Sequence, residues 1–418
     1  MKIAIPRERR PHETRVAASP ETVRKLVALG AEVLLEKDAG AGAAIPDKSF
    51  EEAGAKIAGT AKAVLSGADL VLKVQRPIVG GEADEVGLLG KDAVVISMVD
   101  PFRAGDDLGA LAKRGITLFA MDFMPRITRA QSMDVLSSQA NLAGYKAVID
   151  GAATYARAFP MMMTAAGTIH PAKVMVMGAG VAGLQAIATA RRLGAVVSAT
   201  DVRPAAKEQV ESLGASFVAV EDEEFKQAET AGGYAKEMSD EYKAKQAALT
   251  AETIMKQDLV ITTALIPGRP APLLITKDMV ATMKPGSVIV DLAIDNGGNC
   301  ELSRGGKVTT TKNGVAIVAY YNVPSRLATD ASALYSRNIY NFVELLTDSE
   351  SKQLAIDWDD EIVKGTLVAK GGAVVHPALT GETAPAPEET SDDASGDDAS
   401  GDDADKQDAG QDDSGKGA

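Results

Sequence analysis

The chain has 418 residues, 45% hydrophobic and 24% charged, enough to bury two substantial cores, with a formal net charge of −14. Residues 380–418 hold 13 acids and two lysines, so the rest is nearly balanced and no basic field for nucleic acid is evident. No run of about 18 to 20 apolar residues could span a bilayer, and the single cysteine, Cys300, excludes an intrachain disulfide.

In chain order, residues 2–6, 31–36, 69–74, 93–97 and 116–120 read as strands, with a helix over 19–29. This alternation predicts a largely parallel sheet. A long helix over 132–158 follows, and then a second set of strands at 173–177, 196–200, 259–263, 287–292 and 316–319. A second long helix, 325–346, carries the chain back. The expected fold is α/β, with two Rossmann-like parallel-sheet domains joined by long helices and a cleft between them. Residues 1–135 plus 325–378 form the first, discontinuous domain, and residues 145–320 form the second. Residues 222–240 interrupt the second domain with a polar stretch and a Gly-Gly pair. This segment reads as a mobile loop, either a lid or a surface insertion, and Tyr234 gives it an aromatic able to cover a flat ring. The acidic tail, 380–418, twice repeats Asp-Asp-Ala-Ser-Gly and has too little apolar surface to fold, so it is expected to be disordered.

Residues 173–201 carry the clearest chemistry. An apolar strand runs into Gly178-Ala179-Gly180-Val181-Ala182-Gly183, and a second strand ends on Asp201 about 20 residues further on. Gly178 allows a sharp turn, Gly180 allows close approach of a pyrophosphate, and Gly183 allows tight helix packing. The helix N-terminus then presents free N–H groups to the phosphates. Asp201 is placed to accept from the adenosine ribose hydroxyls and to repel a 2′-phosphate, which points to NAD(H). Arg203 is the dissenting residue, because an Arg there can accommodate that phosphate. The predicted cofactor contacts are Gly178, Ala179, Gly180, Val181, Gly183, Asp201, Val202 and Arg203, with Ala264 after the fourth strand. His12, His170 and His376 are scattered, so no Cys/His metal-ligand spacing is found.

Several blocks resemble the NAD(H)-binding component of proton-translocating nicotinamide nucleotide transhydrogenase and its relative alanine dehydrogenase. They are Ile-Pro-Arg-Glu with Glu-Thr-Arg-Val-Ala-Ala-Ser-Pro, residues 124–145, Gly-Ala-Gly-Val-Ala-Gly, Thr-Asp-Val-Arg-Pro and Asp-Leu-Ala-Ile-Asp-Asn-Gly-Gly-Asn. The resemblance covers about residues 1 to 378. It implies that Arg126, Gln131, Asp134 and Ser137 approach the nicotinamide end, and that Tyr234 folds over the bound nucleotide. Direct hydride transfer between two nicotinamides needs positioning and exclusion of water rather than an acid–base residue, and such hydrogen-bonding side chains suit it.

The resemblance further implies NAD(H) on this chain, NADP(H) on a partner subunit, a separate membrane-spanning subunit, a homodimer, and a cytoplasmic location peripheral to the inner face of the membrane. Alanine dehydrogenase is the alternative. Arg15 and Lys73 stand where that relative holds its substrate, but its catalytic His has no counterpart between His12 and His170. Asp295 departs slightly toward that relative. A second alternative is a non-catalytic module that senses NADH.

Overall fold

In the computed structural model, which describes residues 1–226 and 238–381, two large sheets are each wound in the same order. The first contains β1 (Lys2–Ile5), β2 (Glu32–Glu36), β3 (Lys56–Ala58), β4 (Leu70–Gln75), β5 (Val94–Met98) and β6 (Thr117–Ala120). A small hairpin, β7 (Met162–Thr164) with β8 (Gly167–Ile169), precedes the second sheet. The second sheet contains β9 (Lys173–Met177), β10 (Val196–Thr200), β11 (Ser216–Phe217), β12 (Leu259–Thr262), β13 (Val288–Asp291), β14 (Lys307–Thr310) and β15 (Ala316–Ala319). The chain then returns to the first sheet as β16 (Leu367–Lys370) and β17 (Ala373–Val374).

The strand orders are β17-β16-β6-β5-β4-β1-β2-β3 and β11-β10-β9-β12-β13-β15-β14. β14, β16 and β17 pair antiparallel with their neighbours, and the other strands of the two sheets pair in parallel. Each sheet therefore winds outward from its first strand and then reverses, leaving a switch point between β1 and β4 and another between β9 and β12. The strands are apolar because both faces are covered. Ile3, Leu72 and Ile96 face one core of the first sheet, while Ala4, Val71 and Val95 face the other. Val174 and Val176 are divided in the same way from Met175 and Met177 in the second sheet.

Two long helices bind the halves together. The helix Val135–Thr154 is shorter than the expected 132–158: Asp134 caps it by accepting from Ser137 N–H at 2.9 Å, and Thr128–Met133 forms a 3-10 turn. Its glycines allow close approach to the second sheet. A Cβ at Gly144 would lie 2.0 Å from the Ala182 carbonyl oxygen, and one at Gly151 would meet the Leu259 side chain at 2.7 Å. The return helix, Ala328–Leu345, likewise begins later than expected, after a 3-10 turn at Val323–Leu327 that contains Pro324. It buries Tyr335, Ile339, Phe342 and Val343 in the first core, where Phe342 meets Phe119 edge to face at 5.3 Å.

The carboxyl-terminal edges of the two sheets face each other. Phe102, beyond β5, lies against Gly268, beyond β12, so that a Cβ on that glycine would come within 3.2 Å of the ring. The Arg103 guanidinium donates to the Asp295 carbonyl, beyond β13. Thr14, beyond β1, accepts from and donates to Ser325, beyond β15. Among the described residues, no helix is long and apolar enough to cross a membrane.

Candidate functional site

The glycine turn follows β9 at the second switch point. Gly178 has φ +101°, a left-handed conformation that favours glycine. A Cβ on Gly183 would lie 1.8 Å from the Gly178 carbonyl oxygen, so this glycine permits the helix Val181–Arg192 to sit directly on the turn. Gly180 differs, since an added Cβ would meet no atom within 4 Å. Its missing side chain serves no packing need of the chain and leaves open the space in front of the helix N-terminus. Val181 is exposed at the first helical position, and Ala179 is buried beneath the turn.

Asp201 lies at the end of β10 as expected, but its carboxylate is already engaged. It accepts from Ala179 N–H at 2.7 Å, from Arg203 N–H at 2.9 Å, and from the Arg203 guanidinium at 2.9 and 3.1 Å. The Asp201 side chain is only 7% exposed. Two ribose hydroxyls therefore cannot both be received until the Arg203 arm yields, which corrects the expectation of an open acceptor. Val202, beside it, is exposed.

Across the switch point, β12 ends at Thr262. Thr263 ties the two edges together, its hydroxyl donating to the Gly178 carbonyl at 3.0 Å. Ala264 is gripped by the Asn299 carboxamide, which accepts from Ala264 N–H at 3.1 Å and donates to Ala264 C=O at 2.9 Å. Asn299 is in turn fixed by buried Asp291, whose carboxylate accepts from the backbone N–H groups of Ala293, Asn299 and Cys300 and from the hydroxyls of Thr262 and Ser303. Gly297 and Gly298, at φ +101° and +88°, bring the chain back to make this contact. The roles of Asp291 and Asn299 are absent from the sequence-based expectations; the signal that could have exposed them is the glycine pair between two polar side chains at the end of a buried strand.

The four residues expected at the nicotinamide end cluster around the start of the long helix. Asp134 and Ser137 are joined, the Ser137 hydroxyl and N–H both donating to the Asp134 carboxylate. Gln131 is exposed on the preceding 3-10 turn, and Arg126 is exposed just before it. The return helix pins this segment, because Asn338 and Asn341 both donate to the Ser132 carbonyl. Ser137 is seven residues along the helix from Gly144 and its contact with Ala182, a separation of about 10 Å at 1.5 Å per residue.

In the loop expected over 222–240, Glu223–Lys226 is helical and Phe225, Met238 and Tyr242 form a small buried cluster. Tyr234 lies outside the described residues, as does the tail from residue 382 onward.

The switch point of the first sheet is filled by the chain's own charges. Lys73 donates to Glu85 at 3.1 Å and to Glu8 at 3.2 Å, and all three side chains are buried. Glu36, at the end of β2 in the position corresponding to Asp201, accepts from Arg7 N–H and from the Arg9 guanidinium. Arg15 is held by Glu13 at 2.7 and 2.8 Å and donates to Gln139 at 2.8 Å. Burial would raise the Glu13 carboxyl, but the hydrogen bonds and charge of Arg15 and a hydrogen bond from Gln75 outweigh it and hold the group at about 2. For Lys73 burial acts downward, yet Glu8 and Glu85 leave its pKa above the ordinary value. Asp295 accepts from Asn322 N–H at 3.1 Å, and burial raises its carboxyl.

Models of the alanine dehydrogenase/PNT N-terminal and C-terminal domains match residues 4–143 and 147–377. In Rhodospirillum rubrum, the first of the separate chains that make up NAD(P) transhydrogenase subunit alpha is 60% identical over 385 residues, covering 92% of this chain and 100% of that protein. A crystal structure of transhydrogenase from Sinorhizobium meliloti is 56% identical, with a TM-score of 0.81, over 90% of this chain and 100% of that one. Alanine dehydrogenase of Halomonas elongata is more distant, at 30% identity over 89% of this chain and 94% of that protein.

Proposed function

The chain belongs to the alanine dehydrogenase/PNT family, and from that premise we propose that it is the NAD(H)-binding subunit of a proton-translocating transhydrogenase. The observation that carries this reading is the contrast between the two switch points. The crevice beyond β9 and β12 is open at Gly180, whereas the corresponding crevice beyond β1 and β4 is filled by Lys73, Glu8 and Glu85. One open crevice serves one nucleotide, so the second nicotinamide arrives on another protein. The Rhodospirillum rubrum relative, a subunit alpha chain matched over its whole length, supports an assembly of several subunits.

In this reading NAD(H) lies in the crevice between two lobes, residues 1–135 with 325–378 and residues 145–320. Bound NADH supplies a hydride from its nicotinamide C4 to that of NADP+, giving NAD+ and NADPH with no proton consumed in the step. The backbone at Gly178–Gly183 receives the pyrophosphate. Asp201 takes the ribose hydroxyls as the Arg203 arm moves aside, and its charge disfavours a 2′-phosphate. Arg126 donates to the carboxamide oxygen, Gln131 and Ser137 fix the nicotinamide ribose, and Asp134 orients Ser137. Tyr234 folds over the nucleotide and excludes water. An NADP(H)-binding subunit and a membrane-spanning subunit complete the complex at the inner face of the cytoplasmic membrane, and this chain acts there as a homodimer.

The alanine dehydrogenase reading needs free cationic groups for a substrate carboxylate. Arg15 and Lys73 are buried against carboxylates, which speaks against it. The test is purification of the chain co-expressed with the subunits of its complex. Co-purification of a membrane subunit and an NADP(H)-binding subunit is expected; a chain that purifies alone and oxidises alanine would overturn the proposal.

A further inference from the structure

We propose that Asn299 is a positioning residue for the nicotinamide half of the bound dinucleotide, an inference that rests on the NAD(H)-binding function above. In a doubly wound sheet the first three strands carry one mononucleotide half and the strands beyond the switch point carry the other. Asp201 marks the adenosine side at the end of β10. The segment after β12, Thr263 to Pro272, therefore borders the nicotinamide side.

That segment is exposed over much of its length, with Leu265 at 52% and Ile266 at 43%. Its shape depends on one side chain. The Asn299 carboxamide is fully buried and uses its acceptor and both donors: it accepts from Ala264 N–H at 3.1 Å, donates to Ala264 C=O at 2.9 Å, and donates to Pro272 C=O at 2.8 Å. It thus clamps the two ends of the segment to each other and to the end of β13. A carboxamide suits the task because it has an acceptor and two donors in one plane.

The clamp is separable from the core beneath it. Asp291 holds residue 299 through its backbone N–H, at 3.0 and 3.2 Å, and the other donors to that carboxylate come from Thr262, Ala293, Cys300 and Ser303. Truncating the Asn299 side chain leaves all of these in place. What it releases is the exposed segment, with the Ala264 peptide groups unpaired and Leu265 and Ile266 free to move away from the crevice. Asn299 acts through Ala264 and its neighbours rather than by touching the nucleotide.

The test uses the full chain and two probes, NADH and 5′-AMP, titrated by calorimetry against the unaltered protein and Asn299→Ala. The expected result is NADH affinity lowered at least tenfold, AMP affinity changed less than twofold, and an unfolding midpoint shifted by only a few degrees. Asn299→Ser, which keeps a small polar group at the site, should show the same split to a smaller degree and serves if the alanine variant does not fold. Unchanged NADH affinity would overturn the inference. So would a parallel loss of NADH and AMP affinity, the outcome of a general structural role. Failure of the unaltered chain to bind NADH would overturn the NAD(H)-binding function and the inference with it.

Discussion

Replacing Gly180 with Ala should weaken NADH binding without disturbing the fold. Gly180 has φ −74° and ψ −168°, which any residue adopts, and an added Cβ meets no protein atom within 4 Å. The methyl group is therefore neutral to stability within about 1 kcal/mol, the sum of a small gain from a stiffer unfolded chain and a small loss at the helix cap. In the complex the same methyl group occupies the space of the approaching pyrophosphate. Losing one charge-assisted hydrogen bond there costs about 1.5 to 3 kcal/mol, a tenfold to hundredfold rise in the dissociation constant. Gly183→Ala gives the opposite balance, because its Cβ would lie 1.8 Å from the Gly178 carbonyl oxygen and the helix must shift, at about 1 to 3 kcal/mol of stability. The assay is a fluorescence titration of NADH beside thermal unfolding for each variant. A Gly180→Ala protein that binds NADH as tightly as the unaltered chain would refute the reasoning.

Three further outcomes are expected. The chain should bind NADH at least tenfold more tightly than NADPH, a difference of about 1.4 kcal/mol, and Asp201→Ala should weaken NADH far more than NADPH; equal dissociation constants in the unaltered chain would contradict this. Glu13, held at about 2 in the folded chain against an ordinary 4.5, contributes stability that is full above pH 4.5 and lost as the pH falls toward 2. Glu13→Gln should therefore cost about 3 kcal/mol at pH 7, and its acid unfolding limb between pH 4.5 and 2 should be shallower; parallel pH profiles of the two proteins would show otherwise. Gln131→Asn should slow hydride transfer more than tenfold with little change in NADH affinity, because a shorter amide misplaces the ring while the adenosine contacts persist. Equal losses in rate and affinity in a transfer assay would count against that role.

The dinucleotide unit is legible in the sequence because its chemistry is local: strand, glycines, helix and acid lie within one stretch of chain, and each glycine answers to a backbone need found in the structure. Asp201 is legible as a position but not as a state, since its pairing with Arg203 depends on a rotamer that spacing does not encode. Asn299 escapes because its partners, Ala264 and Pro272, are 35 and 27 residues away in the chain. The antiparallel strands β14, β16 and β17 are two to four residues long and too short to show a period. The long helix begins three residues later than its apolar pattern suggests, because a 3-10 turn shares much of that pattern. The charge cluster around Lys73 cannot be read, because its members come from the turn after β1, from β4 itself and from the loop beyond β4, and only the sheet brings them together.

Hydride transfer itself is the most direct measurement. NADH oxidation coupled to reduction of an NADP+ analogue would be followed spectroscopically with this chain alone, with a purified NADP(H)-binding subunit alone, and with the two combined. The proposed function predicts transfer only in the mixture and no oxidation of alanine by this chain in any combination. Robust alanine oxidation by the chain alone, or no transfer when both subunits hold their nucleotides, would contradict it.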